Sequence, residues 1–482
     1  MGLAFIPLYI RFMGIECWGL IGLYTTLQPM FGLLDMGLSS TLNREMARLS
    51  VMPEKGQEMR NLVHTLEVFC WSVALMLGVT AASLSPYTAH HWIKAWELPN
   101  DTIEQALFLM GIIMALQMPI GFYSGGLMGL QKQVLLNVIA VCMNTLRGAG
   151  AVLVLWLVSP TIQAFFTWQI VVSITNVVFL AGFIWRSLPA GDSRTVFQRV
   201  LLKGVWRFAA GISGITVLAV ILTQLDKIIL SRMLPLEMFG YYTLASVVAM
   251  SLSRLFGPVF LGIYPRLTQL ISLDDTEGLM RLYRQSSQIM SIVILPATAV
   301  LALFSYEILL VWTQNPTAAE NAHLLVSILV CGTAVNGLMH LPYALQLASG
   351  WTRIGFNINV FLILIFLPAI IILTKHYGSA GGASAWLALN LIYMIIGVPL
   401  THRRLLKGEA TRWLCNILFP LASILAIVSV GHNLYKSNSP PRAAVAFVAI
   451  TFLCALFSAG LSSSHIREMI KNRLRWGSSS QS

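Results

Sequence analysis

Apolar runs about twenty residues long follow one another along this chain, and they leave it little choice of fold. A helix that crosses a bilayer needs about 20 predominantly apolar residues. Between the runs lie short polar stretches, none long enough for a soluble domain. Only 10% of the 482 residues are charged, where an ordinary soluble domain has about 25%. With 57% hydrophobic residues and a mean hydropathy of +0.75, the chain reads as an all-α polytopic membrane protein.

Met1–Ile10 is apolar but about half the length of a span. The runs after it are centred on Trp18–Leu38, Leu62–Leu84, Ala106–Leu127, Val134–Val158, Ile162–Trp185, Phe208–Ser231 and Phe239–Ile263. Ile289–Trp312, Leu324–Ala348, Ile354–Thr374, Ala380–Pro399, Trp413–Val430 and Ala443–Leu461 complete the series. With Met1–Ile10 counted as a clipped first span, about fourteen crossings result. Cationic residues prefer the cytoplasmic loops. With both termini in the cytoplasm, about 22 of the 31 Lys and Arg fall on that side. The net charge of +12 is therefore a topology signal; no basic domain or aromatic platform for nucleic acid accompanies it. The basic loop around Arg194 and the turn Pro189–Ser193 divide the chain. Residues 1–185 form a first lobe, 186–207 a linker, 208–401 a second lobe, 402–463 two last helices and 464–482 a basic tail. Pro86–Gln105 reads as a polar stretch. The six cysteines lie far apart and mostly inside apolar runs, so they read as small packing residues, with no metal-ligand spacing. The start of the chain is too short and lacks the basic residues of a cleavable signal peptide.

The stretch QLDKIILSRMLPLEMFGYYTLA, Gln224–Ala245, opens a second copy of an earlier one. RFMGIECWG from Arg11 matches RMLPLEMFG from Arg232 at one fixed offset, pairing Arg11 with Arg232, Glu16 with Glu237, Trp18 with Phe239 and Gly19 with Gly240. Both copies run into a span that ends near an arginine, Arg44 in one and Arg266 in the other. An even number of crossings separates them, so they share an orientation, and parallel repeats of this kind place a substrate site between the halves. The offset also implies that the first span lacks about a dozen residues of a full crossing.

LLDMGLSSTLNREMA (Leu33–Ala47), the stretch at Gln224–Ala245, LPYALQLASGWTR (Leu341–Arg353) and YGSAGGASAWL (Tyr377–Leu387) together resemble the polysaccharide-flippase family. That family comprises bacterial inner-membrane exporters of lipid-linked O-antigen or capsule repeat units. Its superfamily includes the multidrug and toxin exporters and the peptidoglycan-precursor flippases. The resemblance covers nearly the whole chain. It implies two six-helix lobes in a V around a central cavity, two further C-terminal helices, and alternating access driven by an ion gradient. The implied partners are a lipid-linked oligosaccharide, membrane lipids and polysaccharide polymerase machinery, with the chain itself a monomer.

Charges at membrane depth cost about 2.5–3.5 kcal/mol on insertion scales and so mark sites that face protein or water. Arg147, near the middle of its run, suits a diphosphate, because a guanidinium grips phosphate with two parallel bonds. Arg254 and Lys227 are further candidates for the same anionic headgroup. Asp226 is a candidate for ion coupling or a fixed salt bridge. Being consecutive, Asp226 and Lys227 leave a helix about 100° apart and are expected to face different surroundings. Glu67 and His64, spaced i, i+3, share a helix face and form a candidate titrating pair. Asp35 with Arg44 is a candidate gate at the mouth of the second span. His340 reads as a satisfied core histidine. Pro29, Pro119, Pro258, Pro296 and Pro368 are expected kink positions.

No zinc-protease motif, P-loop or nucleophile elbow is present, so the chain reads as a transporter without metal or cofactor. A multidrug or cation antiporter would call for an acidic interior, whereas here mid-span cations outnumber mid-span acids. A peptidoglycan-precursor flippase of the same superfamily is a further alternative. A membrane glycosyltransferase or polymerase would need a larger external loop than Pro86–Gln105 offers.

Overall fold

Apolar runs in a bilayer become helices because each backbone N–H and C=O then finds its partner inside its own segment. The computed structural model describes residues 2–33, 37–189, 193–198, 220–435 and 441–462. Among the described residues there is no strand, only an isolated bridge between Lys94 and Pro235. The helices in the first half are α1 (Gly2–Leu33), α2 (Leu38–Ser50), α3 (Gly56–His91), α4 (Asn100–Gly129), α5 (Gln133–Leu157) and α6 (Ile162–Ser187). A helical run at 220–233 is α7. Then come α8 (Leu236–Ser251), α9 (Ser253–Ser272), α10 (Thr276–Leu303), α11 (Ser305–Thr313), α12 (Pro316–Ala348), α13 (Thr352–Leu405), α14 (Glu409–Leu434) and α15 (Pro441–Ser462). Eleven helical segments among the described residues are long and apolar enough to cross a membrane.

Two glycines turn long helices back on themselves. Gly14 (φ 84°, ψ 173°) interrupts α1 and Gly378 (φ 57°, ψ −136°) interrupts α13. Both conformations are open essentially to glycine alone. A straight α1 would hold Tyr9 and Tyr24 about 22 Å apart. Instead Tyr9 meets Phe165 and Tyr24 meets its neighbour Phe166, both edge to face, with ring centroids 5.2 and 5.8 Å apart. The chain therefore doubles back at Gly14, as the expectation of a short first span followed by a second requires. At Gly378 the same reversal brings Gly381 against the carbonyl of Leu373.

The chain divides into two compact units, Met1–Gly240 and Tyr241–Ser482. In the first, α4 is the hub, packing against α1, α2, α3, α5 and α6. In the second, α12 packs against α9, α10, α11 and α13. The first unit's core is built from Leu42, Met46, Leu62, Leu66, Phe122 and Ile184 among others. That of the second includes Phe256, Leu267, Ile294, Leu338, Leu345 and Ile424.

The internal repeat has a physical counterpart inside the first unit. A Cβ on Gly19 would lie 2.6 Å from the carbonyl oxygen of Leu236, and one on Gly240 would lie 2.5 Å from that of Ile15. Gly19 pairs with Gly240 at the repeat offset, and Ile15 with Leu236. The two copies thus meet by the same contact made in both directions, with backbone against backbone.

Several boundaries differ from those expected. The stretch after Gly37, expected as a loop, is the amphipathic helix α2, which buries Leu38, Thr41, Leu42, Met46 and Leu49. It lies on a glycine ridge of α4, where Gly125 and Gly129 touch the carbonyls of Ser39 and Asn43. Helix α3 continues through Pro86 to His91 and α4 begins at Asn100, so 12 of the 20 residues of the expected polar stretch are helical. Helix α10 begins at Thr276, which puts Arg281 and Arg284 on its opening turns rather than in a loop. The expected ninth span breaks at Phe304 into α10 and α11. Cys17 and Cys70 are buried as expected of packing residues, but Cys142, Cys415 and Cys454 are exposed. The prolines named above all lie inside helices. Arg199, Lys203, Arg207 and the basic tail lie outside the described residues.

The ridge gives a first prediction. A Gly125 side chain would start 2.3 Å from the Ser39 carbonyl, so Gly125→Leu must lift α2 off α4. It should destabilise the protein by about 1–3 kcal/mol or more. Gly182→Ala on α6, with nothing within 4 Å of its Cβ, should be neutral or slightly stabilising. Thermal melting of the two detergent-purified variants, followed by size exclusion, checks the contrast.

Candidate functional site

Arg147 sits in the middle of α5 at a turn where glycine lets other chains come close. Gly148 abuts the ring of Phe5 and Gly150 that of Trp168. Three side chains clamp the carbonyls of this turn. Trp168 Nε1 donates to Leu146 O at 3.1 Å, Gln169 Nε2 to Arg147 O at 3.3 Å, and the Tyr9 hydroxyl to Gly148 O at 3.0 Å. Among the described residues, the guanidinium that this rigid turn projects makes a single hydrogen bond, from Nη2 to Ser173 Oγ of α6 at 3.2 Å. Its Nε is buried with no hydrogen-bond partner among the described residues. Tyr24 of α1, 7% exposed, lies within electrostatic reach of the guanidinium and beside Gln117 of α4. The Tyr24 hydroxyl and Gln117 Nε2 form no geometrically sound hydrogen bond, and Asn176 Oδ1, one turn beyond Ser173, is also unpartnered.

Buried polar atoms in folded proteins are almost always paired, and a guanidinium carries five donors. Here Arg147 has most of its donors unused, surrounded by polar side chains from α1, α4 and α6. Such a group can receive an oxyanion, with hydroxyl and amide side chains placed to bond neighbouring oxygens.

Each of the other predicted residues has surroundings of its own. Asp226, 2% exposed, accepts from Lys227 Nζ at 3.3 Å, and the same Nζ reaches Thr223 O at 3.2 Å. The expectation that these two face different surroundings fails because the flexible lysine stem folds back, although the two Cβ directions diverge. Lys227 is consequently compensated on the spot. Arg254 stands just past Leu252, where the backbone tightens to i→i+3 bonds from Leu252 N to Ala249 O and from Leu255 N to Leu252 O. It is exposed and on the opposite side of α9 from the buried Phe256.

Glu67 does not pair with His64. Its Oε1 accepts from the Tyr123 hydroxyl and from Trp185 Nε1, and Trp71 Nε1 donates to Tyr123. His64 is half-buried on the same helix. Arg44 pairs with Glu45 at 2.7 Å, while Asp35, its expected gate partner, lies outside the described residues. His340 Nδ1 donates to Asn336 O at 2.9 Å, and the ring packs between Phe256 and Phe260. That is the satisfied core histidine expected.

Residues 1–271 match the family described as "Polysaccharide biosynthesis protein". The chain belongs to that family. It is 24% identical over 231 residues to "Lipopolysaccharide biosynthesis protein WzxC" of Escherichia coli (strain K12), over 47% of this chain and 46% of that one. The match spans about half the length of that curated relative. In fold the chain is similar to "Lipid II flippase MurJ, inward closed conformation", with TM-score 0.71, 14% identity and 97% of each chain covered. It is also similar to an inward-facing "multidrug resistance MATE family transporter of the MOP superfamily", with TM-score 0.67 and 14% identity over 85% of this chain and 94% of that one. At these identities the likeness is one of fold: an all-helical membrane protein built as those transporters are.

One residue of this polysaccharide biosynthesis family member was legible only as a repeat match. Glu16, 3% exposed, follows the Gly14 reversal, and its carboxylate accepts three backbone N–H groups. These come from Trp96 at 2.8 Å, Glu97 at 3.1 Å and Leu98 at 2.9 Å. The same loop holds the turn before α8. Trp92 Nε1 donates to Ser231 Oγ at 3.0 Å, Leu236 N to Lys94 O at 2.7 Å, and the Arg232 guanidinium lies 5.1 Å over the Trp92 ring.

Proposed function

We propose that this chain translocates undecaprenyl-diphosphate-linked oligosaccharide units of an O-antigen, capsule or exopolysaccharide across the bacterial inner membrane. It works by alternating access, coupled to an ion gradient, as a carrier and not an enzyme. The observation that best supports this reading is Arg147, a mid-span cation whose buried Nε has no hydrogen-bond partner among the described residues. Diphosphate oxygens supply the acceptors that the guanidinium lacks. Tyr24, Gln117 and Asn176 offer hydroxyl and amide groups to the flanking sugar, and the prenyl tail stays in lipid. Arg254, exposed on α9, stays a further candidate for an anionic headgroup. Asp226 holds Lys227 by a bond that protonation of the carboxylate would weaken, which gives that pair the coupling role. Glu67, with Tyr123 and Trp185, is the second coupling candidate.

A cationic drug gains nothing from an uncompensated guanidinium, which sets the antiporter reading below this one. The test is reconstitution of the full chain in proteoliposomes loaded with a fluorescent undecaprenyl-diphosphate oligosaccharide. An added glycosidase should reach the inner-leaflet sugar far faster than in protein-free vesicles, and faster still under an imposed ion gradient. Accessibility equal to that of empty vesicles, with uptake of a cationic dye instead, would refute the proposal in favour of the antiporter.

A further inference from the structure

In the second unit, α10 and α14 bury Leu279, Tyr283, Met290, Trp413 and Ile417 in the core but leave a polar pocket of about 630 Å³ at one end. Arg281 and Arg284 line it from α10, and Arg412 lines it from the first turns of α14. Glu409 fixes two of these guanidiniums. Arg284 Nε and Nη2 reach its carboxylate at 2.8 and 2.5 Å, and Arg412 Nη1 reaches it at 3.2 Å. The carboxylate side chain is 5% exposed, while Arg284 and Arg412 remain 40% and 62% exposed. One acid thus orients two cations without neutralising both. Arg281 is exposed and makes no hydrogen bond or ion pair among the described residues; Glu277 is the pocket's other acid. Gln288 Nε2 donates to Asn416 Oδ1 at 3.4 Å across the pocket wall.

The apolar surface beyond the pocket narrows the choice of ligand. One turn past Gln285 on α10 is the exposed Ile289; one turn past Cys415 on α14 are Leu418, 51% exposed, and Phe419, 67% exposed. A polar, arginine-lined pocket beside exposed apolar side chains matches an amphiphile with an anionic head. A soluble anion would use only half of the surface. Basic pockets between transmembrane helices are a recognised way of holding anionic lipid headgroups, and guanidinium forks match phosphate oxygens. From this geometry we infer that the α10–α14 pocket binds the phosphate headgroup of an anionic phospholipid, whose acyl chains lie along Ile289, Leu418 and Phe419. The pocket shares no residue with the Arg147 turn, and the inference does not depend on which substrate the carrier moves.

Cys415 lines the pocket and is exposed, so it reports occupancy. The full chain, with Cys142→Ser and Cys454→Ser, is placed in phosphatidylcholine nanodiscs with or without phosphatidylglycerol, and N-ethylmaleimide labelling of Cys415 is timed. Phosphatidylglycerol should slow labelling about fivefold or more, the effect of about one surface guanidinium on anionic-lipid attraction. The Arg281→Ala/Arg412→Ala variant should label at one rate in both bilayers, and inorganic phosphate in phosphatidylcholine nanodiscs should give no protection. Equal rates for the parent protein in the two bilayers would overturn the site. Protection that persists in the double variant would trace the effect to bilayer charge and overturn it too. Protection by inorganic phosphate alone would make the pocket a free-anion site and overturn the lipid assignment.

Discussion

Arg147→Ala should abolish polymer export in a cell that depends on this chain, while the protein reaches the membrane at its normal level. Each charge-assisted hydrogen bond lost to a phosphate costs about 1.5–3 kcal/mol, so losing even one bond weakens binding about tenfold or more. Arg147→Lys keeps the charge without the planar fork and should retain a measurable fraction of export. Stability separates this role from a structural one. The guanidinium makes one hydrogen bond and leaves Nε unpaired, so in the resting protein it is a desolvated cation with little return. Removing it should leave the melting temperature of the purified protein unchanged or raise it, as happens when a functional site is relieved of strain. Were Arg147 half of a buried ion pair, truncation would instead cost about 3–5 kcal/mol. Full export from the alanine variant, or a clear loss of stability in it, would remove Arg147 from the site.

Much of this architecture could be read in the sequence, for physical reasons that also mark where reading fails. Apolar length alone gave most crossings, because in lipid a helix must satisfy itself. The repeat was visible because Gly19 and Gly240 make the same contact from opposite sides, and a backbone-to-backbone approach admits only glycine. Helix α2 was missed because LSSTLNREMARLS is too polar for a hydropathy window. Yet its buried Leu38, Leu42, Met46 and Leu49 recur at helical spacing, and a periodicity reading would have found it. Arg147 stood out by its depth alone. Its surroundings did not, since Tyr24, Gln117 and Ser173 come from separate helices and nothing local ties them together. The Asp226–Lys227 bond was misread from Cβ directions, which say little about a side chain with four rotatable carbons. Glu67 showed its helix face but not its true partners, Tyr123 and Trp185.

Glu16 carries the other large effect. Its carboxylate terminates three backbone N–H groups of the loop between α3 and α4, and a charged acceptor for such donors is worth about 1.5–3 kcal/mol per bond. Glu16→Ala removes every acceptor at once and strands donors that sit partly buried, so it should destabilise the first unit by several kcal/mol, on the order of the cost of a broken buried ion pair. Glu16→Gln keeps the shape but turns an NH₂ toward backbone donors. Only its carbonyl can still accept, so it should fall between the two. The damage should spread in a defined direction, because the loop also bonds Ser231 and Leu236 through Trp92 and Lys94. Limited proteolysis and hydrogen exchange should therefore show residues 92–99 and 231–236 opening together in Glu16→Ala, with α4 still protected. Opening confined to 92–99, or a melting temperature equal to the parent's, would mean that the apolar packing of α1 and α8 holds this junction without the carboxylate.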